Sequence, residues 1–231
     1  MPKILIINPN TTQAVTSRLL AAAQQLRPKE FLESDVVATT APFGAPYISN
    51  EASFAIAGHA VLSAWEQACA ALSPSKPFQS VLIGCFGDPG LWAMREVVEN
   101  TASKVHSLAE ASFIAAAKHG KFAIVTGGER WKPMLERLAA NLGFAPHLQI
   151  IHTLKADGGQ LAANPDWAVK VLRDACVEVA NSGVDAVILG GAGLAGYAAR
   201  FNEFGPQLDI PVIDSVTAGV EALYKLPTSI R

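Results

Sequence analysis

Cys85 stands in the segment Gly84-Cys85-Phe86-Gly87-Asp88-Pro89-Gly90-Leu91, directly after an apolar run and before a helical pattern. Backbone N–H groups at a helix start favour negative charge. A thiol at such a junction is therefore expected to have a lowered pKa and to serve as a base or nucleophile. The same position also suits a small buried hydrophobe at a strand end. Asp88, followed by Pro89, reads as the cap of the helix that begins there. Asn8-Pro9-Asn10-Thr11-Thr12 forms a second polar junction, with amide, hydroxyl and backbone donors suited to a carboxylate or cyclic amide, or to an ordinary N-cap loop. Thr126-Gly127-Gly128 forms a third, where the glycines permit close backbone approach to a ligand.

The remaining reactive residue types form no recognisable constellation. Cys69 and Cys176 fall in amphipathic helical patterns and are expected in the core. Three cysteines without metal-type spacing imply neither a disulfide framework nor a zinc site. His59, His106, His119, His147 and His152 are scattered, with no H-E-x-x-H pair. There is no G-x-S-x-G elbow and no G-x-x-x-x-G-K-[ST] loop, so serine hydrolysis and nucleotide binding are disfavoured.

Short runs rich in Val, Ile and Leu must position these junctions. They recur at Lys3–Ile7, Asp35–Thr39, Ser80–Ile83, Lys121–Thr126, Gln149–Leu154, Asp185–Leu189 and Ile210–Ile213. Several are continuous rather than alternating, the pattern of parallel strands covered on both faces. Helical spacing fills the intervals at Thr12–Leu26, Ser53–Leu72, Leu91–Glu99, Ser107–Lys118, Trp131–Leu142, Asp166–Ser182 and Thr217–Tyr224. The alternation predicts an α/β fold with right-handed crossovers.

Two echoes suggest an internal duplication. Lys3-Ile4-Leu5-Ile6-Ile7-Asn8 resembles Lys121-Phe122-Ala123-Ile124-Val125-Thr126, and Val81-Leu82-Ile83-Gly84-Cys85-Phe86-Gly87 resembles Val187-Ile188-Leu189-Gly190-Gly191-Ala192-Gly193. Ligands of open α/β sheets bind beyond the carboxyl ends of strands. Two facing halves would therefore set Cys85 and Gly191 on opposite walls of one cleft. Residues 1–100 with 212–231 are expected to form the first α/β domain, which carries Cys85, and 101–211 the second, which carries Gly191. The segment Pro211–Ser215 is expected to return to the first half.

Composition narrows the class. Among 231 residues half are apolar and 16% charged, which describes a packed globule rather than a disordered chain. Eighteen basic and twenty acidic residues, without long runs of one sign, give a net charge of −2 and no footprint for nucleic acid or an anionic membrane. His59, Ser63, Glu66 and Gln67 interrupt the most apolar long stretch, Ala52–Leu72, so no membrane span is expected. The first apolar run begins after Lys3, which leaves no room for a leader, and a cytoplasmic location is expected. A small-molecule substrate is the expected partner.

Taken together, six segments resemble the aspartate/glutamate/hydantoin racemase superfamily, most closely its hydantoin and allantoin racemase branch. They are Ile6–Thr12, Gly84–Leu91, Ala109–Ala111, Phe122–Thr126, Leu189–Leu194 and Pro211–Asp214. The resemblance implies two pseudo-symmetric α/β domains, each a mainly parallel sheet flanked by helices, with the active site in the interdomain cleft. It also implies a homo-oligomer and catalysis without pyridoxal phosphate or metal. In such enzymes two cysteines flank the substrate, one removing a proton from carbon and the other delivering one to the opposite face. Cys85 matches one of them, and Gly191 replaces the other. Tyr197 or a water is the candidate second carrier. The catalytic expectation is Cys85 alone, and the substrate-binding expectation is Asn8, Asn10, Phe86, Thr126, Gly127 and Gly191. Glu110 also matches a family position and is left outside the catalytic set. Three readings stay open: a racemase with an unconventional second proton carrier, a one-thiol decarboxylase or isomerase, and a binder without catalysis.

Overall fold

The computed structural model describes residues 3–72, 78–156 and 158–225. Two four-stranded parallel sheets organise the chain. The first has the order β2-β1-β3-β4 and is built from β1 (Lys3–Asn8), β2 (Val36–Thr40), β3 (Phe78–Ile83) and β4 (Lys104–Ser107). The second has the order β6-β5-β7-β8, from β5 (Phe122–Gly127), β6 (Leu148–Leu154), β7 (Ala186–Gly190) and β8 (Val212–Asp214). The two orders are the same, so β1 corresponds to β5 and β3 to β7. These are the strand pairs whose sequences echo each other.

Continuous apolar runs form the central strands because helices cover both faces. Ile4, Leu5, Ile6 and Ile7 of β1 and Ala123, Ile124 and Val125 of β5 are wholly buried. Burying one Ile or Leu side chain contributes roughly 1.5–3 kcal/mol, so these strands anchor the core. The helices are α1 (Gln13–Gln25), α2 (Glu51–Ala70), α3 (Leu91–Val98), α4 (Leu108–Ala117), α5 (Trp131–Asn141), α6 (Gly158–Ala163), α7 (Pro165–Ala180) and α8 (Ser215–Leu223). Side-chain caps define several starts. Asn50 accepts from the Ser53 N–H ahead of α2, Asn164 from the Trp167 N–H ahead of α7, and Asp214 from the Val216 and Thr217 N–H groups ahead of α8. None of the described helices is long and apolar enough to cross a membrane.

The halves exchange helices. α4 follows β4 of the first sheet yet packs on β7 and β8 of the second, while α8 follows β8 of the second and packs on β3 and β4 of the first. α4 and α8 also pack against each other. One hydrophobic cluster therefore spans both halves, joining Ile4, Ile6 and Leu82 to Phe113, Phe122, Ile124 and Ile188.

This exchange corrects the expected boundaries. Lys104–Ser107 pairs with β3, so the first sheet extends beyond residue 100. Val212–Asp214 pairs with β7, so the strand expected to return to the first half stays with the second, and only the helix after it crosses over. The physical reason is that a β8 edge strand completes the second sheet, while the apolar face of α8 finds its partner across the interface.

Candidate active site

A cavity of about 330 Å³ opens where the carboxyl ends of β1, β3, β5 and β7 converge. Its first wall comes from the loop after β1, α1, the loop after β2 and the loop after β3, contributing Asn10, Thr12, Arg18, Tyr47, Cys85 and Phe86 among others. Its second wall comes from Thr126, Gly127, Trp131, the start of α6, and the loop of residues 190–194. Cys85 and Gly191 thus line one cavity, from the ends of corresponding strands.

The two halves interlock around it. The Phe86 ring lies over Gly190, where a Cβ would fall 2.2 Å from the ring. Reciprocally, the Trp131 ring lies over Gly87, where a Cβ would fall 2.4 Å away. Each half thus sends an aromatic side chain onto a glycine of the other, a close approach that only a residue without Cβ permits. Polar stitches add to this. Arg18 Nη1 donates to the Gly193 carbonyl at 3.2 Å, and the Gly158 N–H donates to the Tyr47 hydroxyl at 3.0 Å.

Cys85 is half-buried, packed on one side against the core shared by the two halves. Burial pushes its thiol pKa well above the ordinary value, and the nearby Asp88 carboxylate pushes it further in the same direction. This reverses the expectation of a lowered pKa. α3 begins only at Leu91, and the group placed between the thiol and that helix is an acid. At neutral pH Cys85 is a protonated thiol.

Asp88 caps a helix, but a different one from that expected. The N-cap of α3 is Gly90. The Asp88 carboxylate instead accepts from Ser107 Oγ at 2.7 Å and from the Ala109 and Glu110 N–H groups at 3.0 Å, at the start of α4. Burial raises its pKa to about 7, against the lowering effect of these donors. Glu110 itself is ion-paired with Arg95 at 2.5 Å.

Asn10, Phe86, Thr126, Gly127 and Gly191 all line the cavity. Asn10 accepts through Oδ1 from Asn8 Nδ2 and from the Thr12 N–H, so its own Nδ2 is the group it can offer a ligand. The Thr126 hydroxyl makes no hydrogen bond among the described residues, and Thr126 lines the same space. Asn8 does not line the cavity. It is wholly buried, with Nδ2 at 3.0 Å from Asn10 Oδ1, the Thr12 carbonyl and Thr16 Oγ1, and it shapes the loop that presents Asn10. Tyr197, a candidate second proton carrier, is buried in the core beneath the second sheet and is also absent from the cavity wall. Cys176 lies in that core too, its thiol pushed up to about 12 by burial, whereas Cys69 is only half-buried on an outer helix. None of the five histidines lines the cavity.

Thr12, named only as part of the polar loop after β1, and Arg18, Tyr47 and Trp131 are cavity residues that sequence reasoning did not place in the binding set. Thr12 and Tyr47 lie in the loops after β1 and β2, Arg18 lies on α1, and Trp131 opens the helix after β5. The rule that such loops carry ligand sites identifies the segments, although not which side chain in each points inward.

The Asp/Glu/hydantoin racemase family matches residues 4–223, nearly the whole chain. The chain belongs to that family. Among relatives, a hydantoin racemase of Pseudomonas sp. (strain NS671) is 30% identical, covering 95% of this chain and 83% of its own. A hydantoin racemase of Paenarthrobacter aurescens is 31% identical, covering 97% of this chain and 90% of its own. Among solved structures, an allantoin racemase from Klebsiella pneumoniae superposes with a TM-score of 0.84 at 30% identity, over 96% of this chain and 86% of that one. The pseudo-symmetric α/β architecture is that of the racemase family.

Proposed function

We propose that this family member carries out cofactor-free proton transfer at a carbonyl-flanked carbon of a small ring such as a hydantoin or allantoin, with Cys85 as the acid/base. The observation that carries the proposal is the placement of Cys85 at the end of β3, on the wall of a cavity sized for a small molecule and shared by both halves. The names of the relatives support the substrate class. Asn10 Nδ2 and the Thr126 hydroxyl are the polar handles for the ring's carbonyl and imide groups.

A carbon acid next to carbonyl groups loses its proton to give a planar enolate, which can be reprotonated from either face. Cys85 serves one face. In its resting form the thiol is the acid, ready to protonate an enolate. To act as base it must first release that proton to solvent, after which the desolvated thiolate is a strong base because its conjugate acid is weak. Full racemisation needs a proton source on the other face as well.

That second face favours a particular version of the chemistry. Among the described residues lining the cavity, Cys85, Arg18 and Tyr47 have ionisable side chains, and all three belong to the first half. Among the described residues the wall around Gly191 has none, and water is the proton carrier proposed for that side. Delivery from that side is then slower than from Cys85, and the reaction is biased towards exchange with retained configuration. A one-thiol isomerase or decarboxylase, which protonates a planar intermediate on a single face, is the second reading this wall favours.

The test is to incubate single enantiomers of 5-substituted hydantoins, allantoin, aspartate and glutamate in heavy water, following optical rotation and the 1H signal of the acidic carbon. Loss of rotation with deuterium in both enantiomers establishes racemisation. Deuterium uptake with retained rotation establishes one-faced exchange. Ligand-dependent stabilisation without any exchange would leave a binding protein and end the enzymatic reading.

A further inference from the structure

Asp88 is wholly buried, and apart from glycines it is the one residue with positive φ, +54°, among the described residues. A side chain in the left-handed region carries strain, so its surroundings must hold it there. Its carboxylate is plugged into the start of α4 by three donors, Ser107 Oγ and the N–H groups of Ala109 and Glu110. On the other side, the Asp88 N–H donates to the Cys85 carbonyl at 3.2 Å, and the Gly87 N–H to the same oxygen at 3.0 Å. The thiol's loop, which comes from the first sheet, is therefore tied to a helix that covers the second.

We propose that Asp88 is a positioning residue for Cys85: pinned to the α4 start, it fixes the loop of residues 84–90 and holds a negative charge beside the sulfur. This rests on reading Cys85 as the acid/base. The loop geometry fixes where the thiol points, and the charge opposes formation of the thiolate. Asp88 itself titrates near neutrality, because burial lifts its pKa to about 7. When it takes up a proton, the thiolate becomes easier to form. The two groups thus exchange influence across one buried turn, and substrate that excludes water from the cavity strengthens the coupling.

Of the other charges near this pair, Glu110 still acts on Asp88 and adds to the rise in its pKa. Glu110 on α4 is paired with Arg95 of α3. His106 on β4 is held down at about 4 by burial and is neutral in the relevant range. Lys104 on β4 and Lys225 after α8 act on His106 and are not among the causes acting on Cys85 or Asp88.

The experiment measures alkylation of Cys85 by iodoacetamide, read by peptide mass spectrometry across about pH 6 to 10, where thiolate is the reacting form. It needs no substrate. Native protein is compared with Asp88→Asn, which removes the charge and keeps one acceptor oxygen, for the Ala109 N–H, while its amide nitrogen takes the place of the oxygen that accepted from Ser107 Oγ and the Glu110 N–H. The expected result is alkylation about tenfold faster in the variant at a given pH on the rising limb, corresponding to about one pKa unit for a like charge removed. A folded variant whose profile superimposes on the native one overturns the proposal. Should Asp88→Asn fail to fold, the native profile decides: ionisation of Asp88 near pH 7 must flatten the rise of rate with pH in that region, and a straight slope of one through it overturns the proposal. A shifted alkylation profile in a protein that exchanges no hydantoin, allantoin or amino-acid proton would sink the proposed function while leaving this role for Asp88 standing.

Discussion

Restoring a thiol at Gly191 tests the geometry of the second wall. Gly191 has φ +147° and ψ 131°, outside the regions open to residues with side chains. A Cβ there would also lie 3.3 Å from Leu194 Cδ1 and Cγ, and Leu194 is buried. Holding a non-glycine residue in so sparsely populated a conformation costs about 1–3 kcal/mol. The backbone escapes that cost only by turning, which would break the hydrogen bond from its N–H to Ser215 Oγ at 3.1 Å and the one from the Leu194 N–H to its carbonyl at 2.9 Å. Each such bond contributes about 1 kcal/mol net, so relaxation costs as much as the strain. For a chain of this size 1 kcal/mol shifts Tm by about 2–4 °C, and Gly191→Cys is expected to melt about 2–12 °C below the native protein. Gly191→Ala should melt with it, because the cost lies in the backbone rather than the sulfur. Both are measured by circular dichroism in reducing buffer. If both variants melt within about 1 °C of native, well inside the expected drop, the constrained glycine described here is wrong. With the fold retained, Gly191→Cys and not Gly191→Ala should add deuterium exchange on the second face.

Gly190→Ala is expected to destabilise by about 1–3 kcal/mol, seen as a lower urea midpoint, because the new methyl meets the Phe86 ring that closes the cavity. Tyr47→Phe removes the acceptor of the Gly158 N–H and should loosen the contact between halves by about 0.5–1.5 kcal/mol, raising KM more than it lowers kcat. Asp88 also predicts a pH dependence of stability. Its carboxyl titrates near 3.8 in the unfolded chain and near 7 in the folded one. Between those values the folded state binds more protons, so this contribution is full below about pH 4 and is lost as pH rises through about 7. Urea melts of native protein and Asp88→Asn at acid and neutral pH should show the fall in the first and a flatter profile in the second.

Much of this architecture is legible in the residues themselves. The buried strands announce themselves as continuous apolar runs, and the echo between β1 and β5 and between β3 and β7 places Cys85 and Gly191 at corresponding positions before any coordinates are seen. β4 escapes such reading because Lys104-Val105-His106-Ser107 is a short edge strand with a single aliphatic residue. α6 escapes it because it is six residues long and begins with two glycines. The destination of Asp88 is hidden for a different reason. Its sequence neighbourhood specifies a cap, but only the exchange of α4 and α8 between the halves brings a distant helix start within reach of its carboxylate. The thiol's raised pKa follows from the same packing, since desolvation and the charge of Asp88 are properties of the folded interior rather than of the local sequence. Asn8 and Asn10 show the limit within a single loop, where one amide faces the cavity and the other builds the turn that aims it.

The most direct measurement of the role assigned to Cys85 is the rate at which the acidic carbon of a turned-over hydantoin or allantoin exchanges its proton in heavy water, with native protein and with Cys85→Ser. A hydroxyl nearly fills the thiol's space and hardly ionises in this range, so the account predicts a loss of about 100- to 10,000-fold with Tm little changed. Exchange in a folded Cys85→Ser variant at the native rate would contradict it.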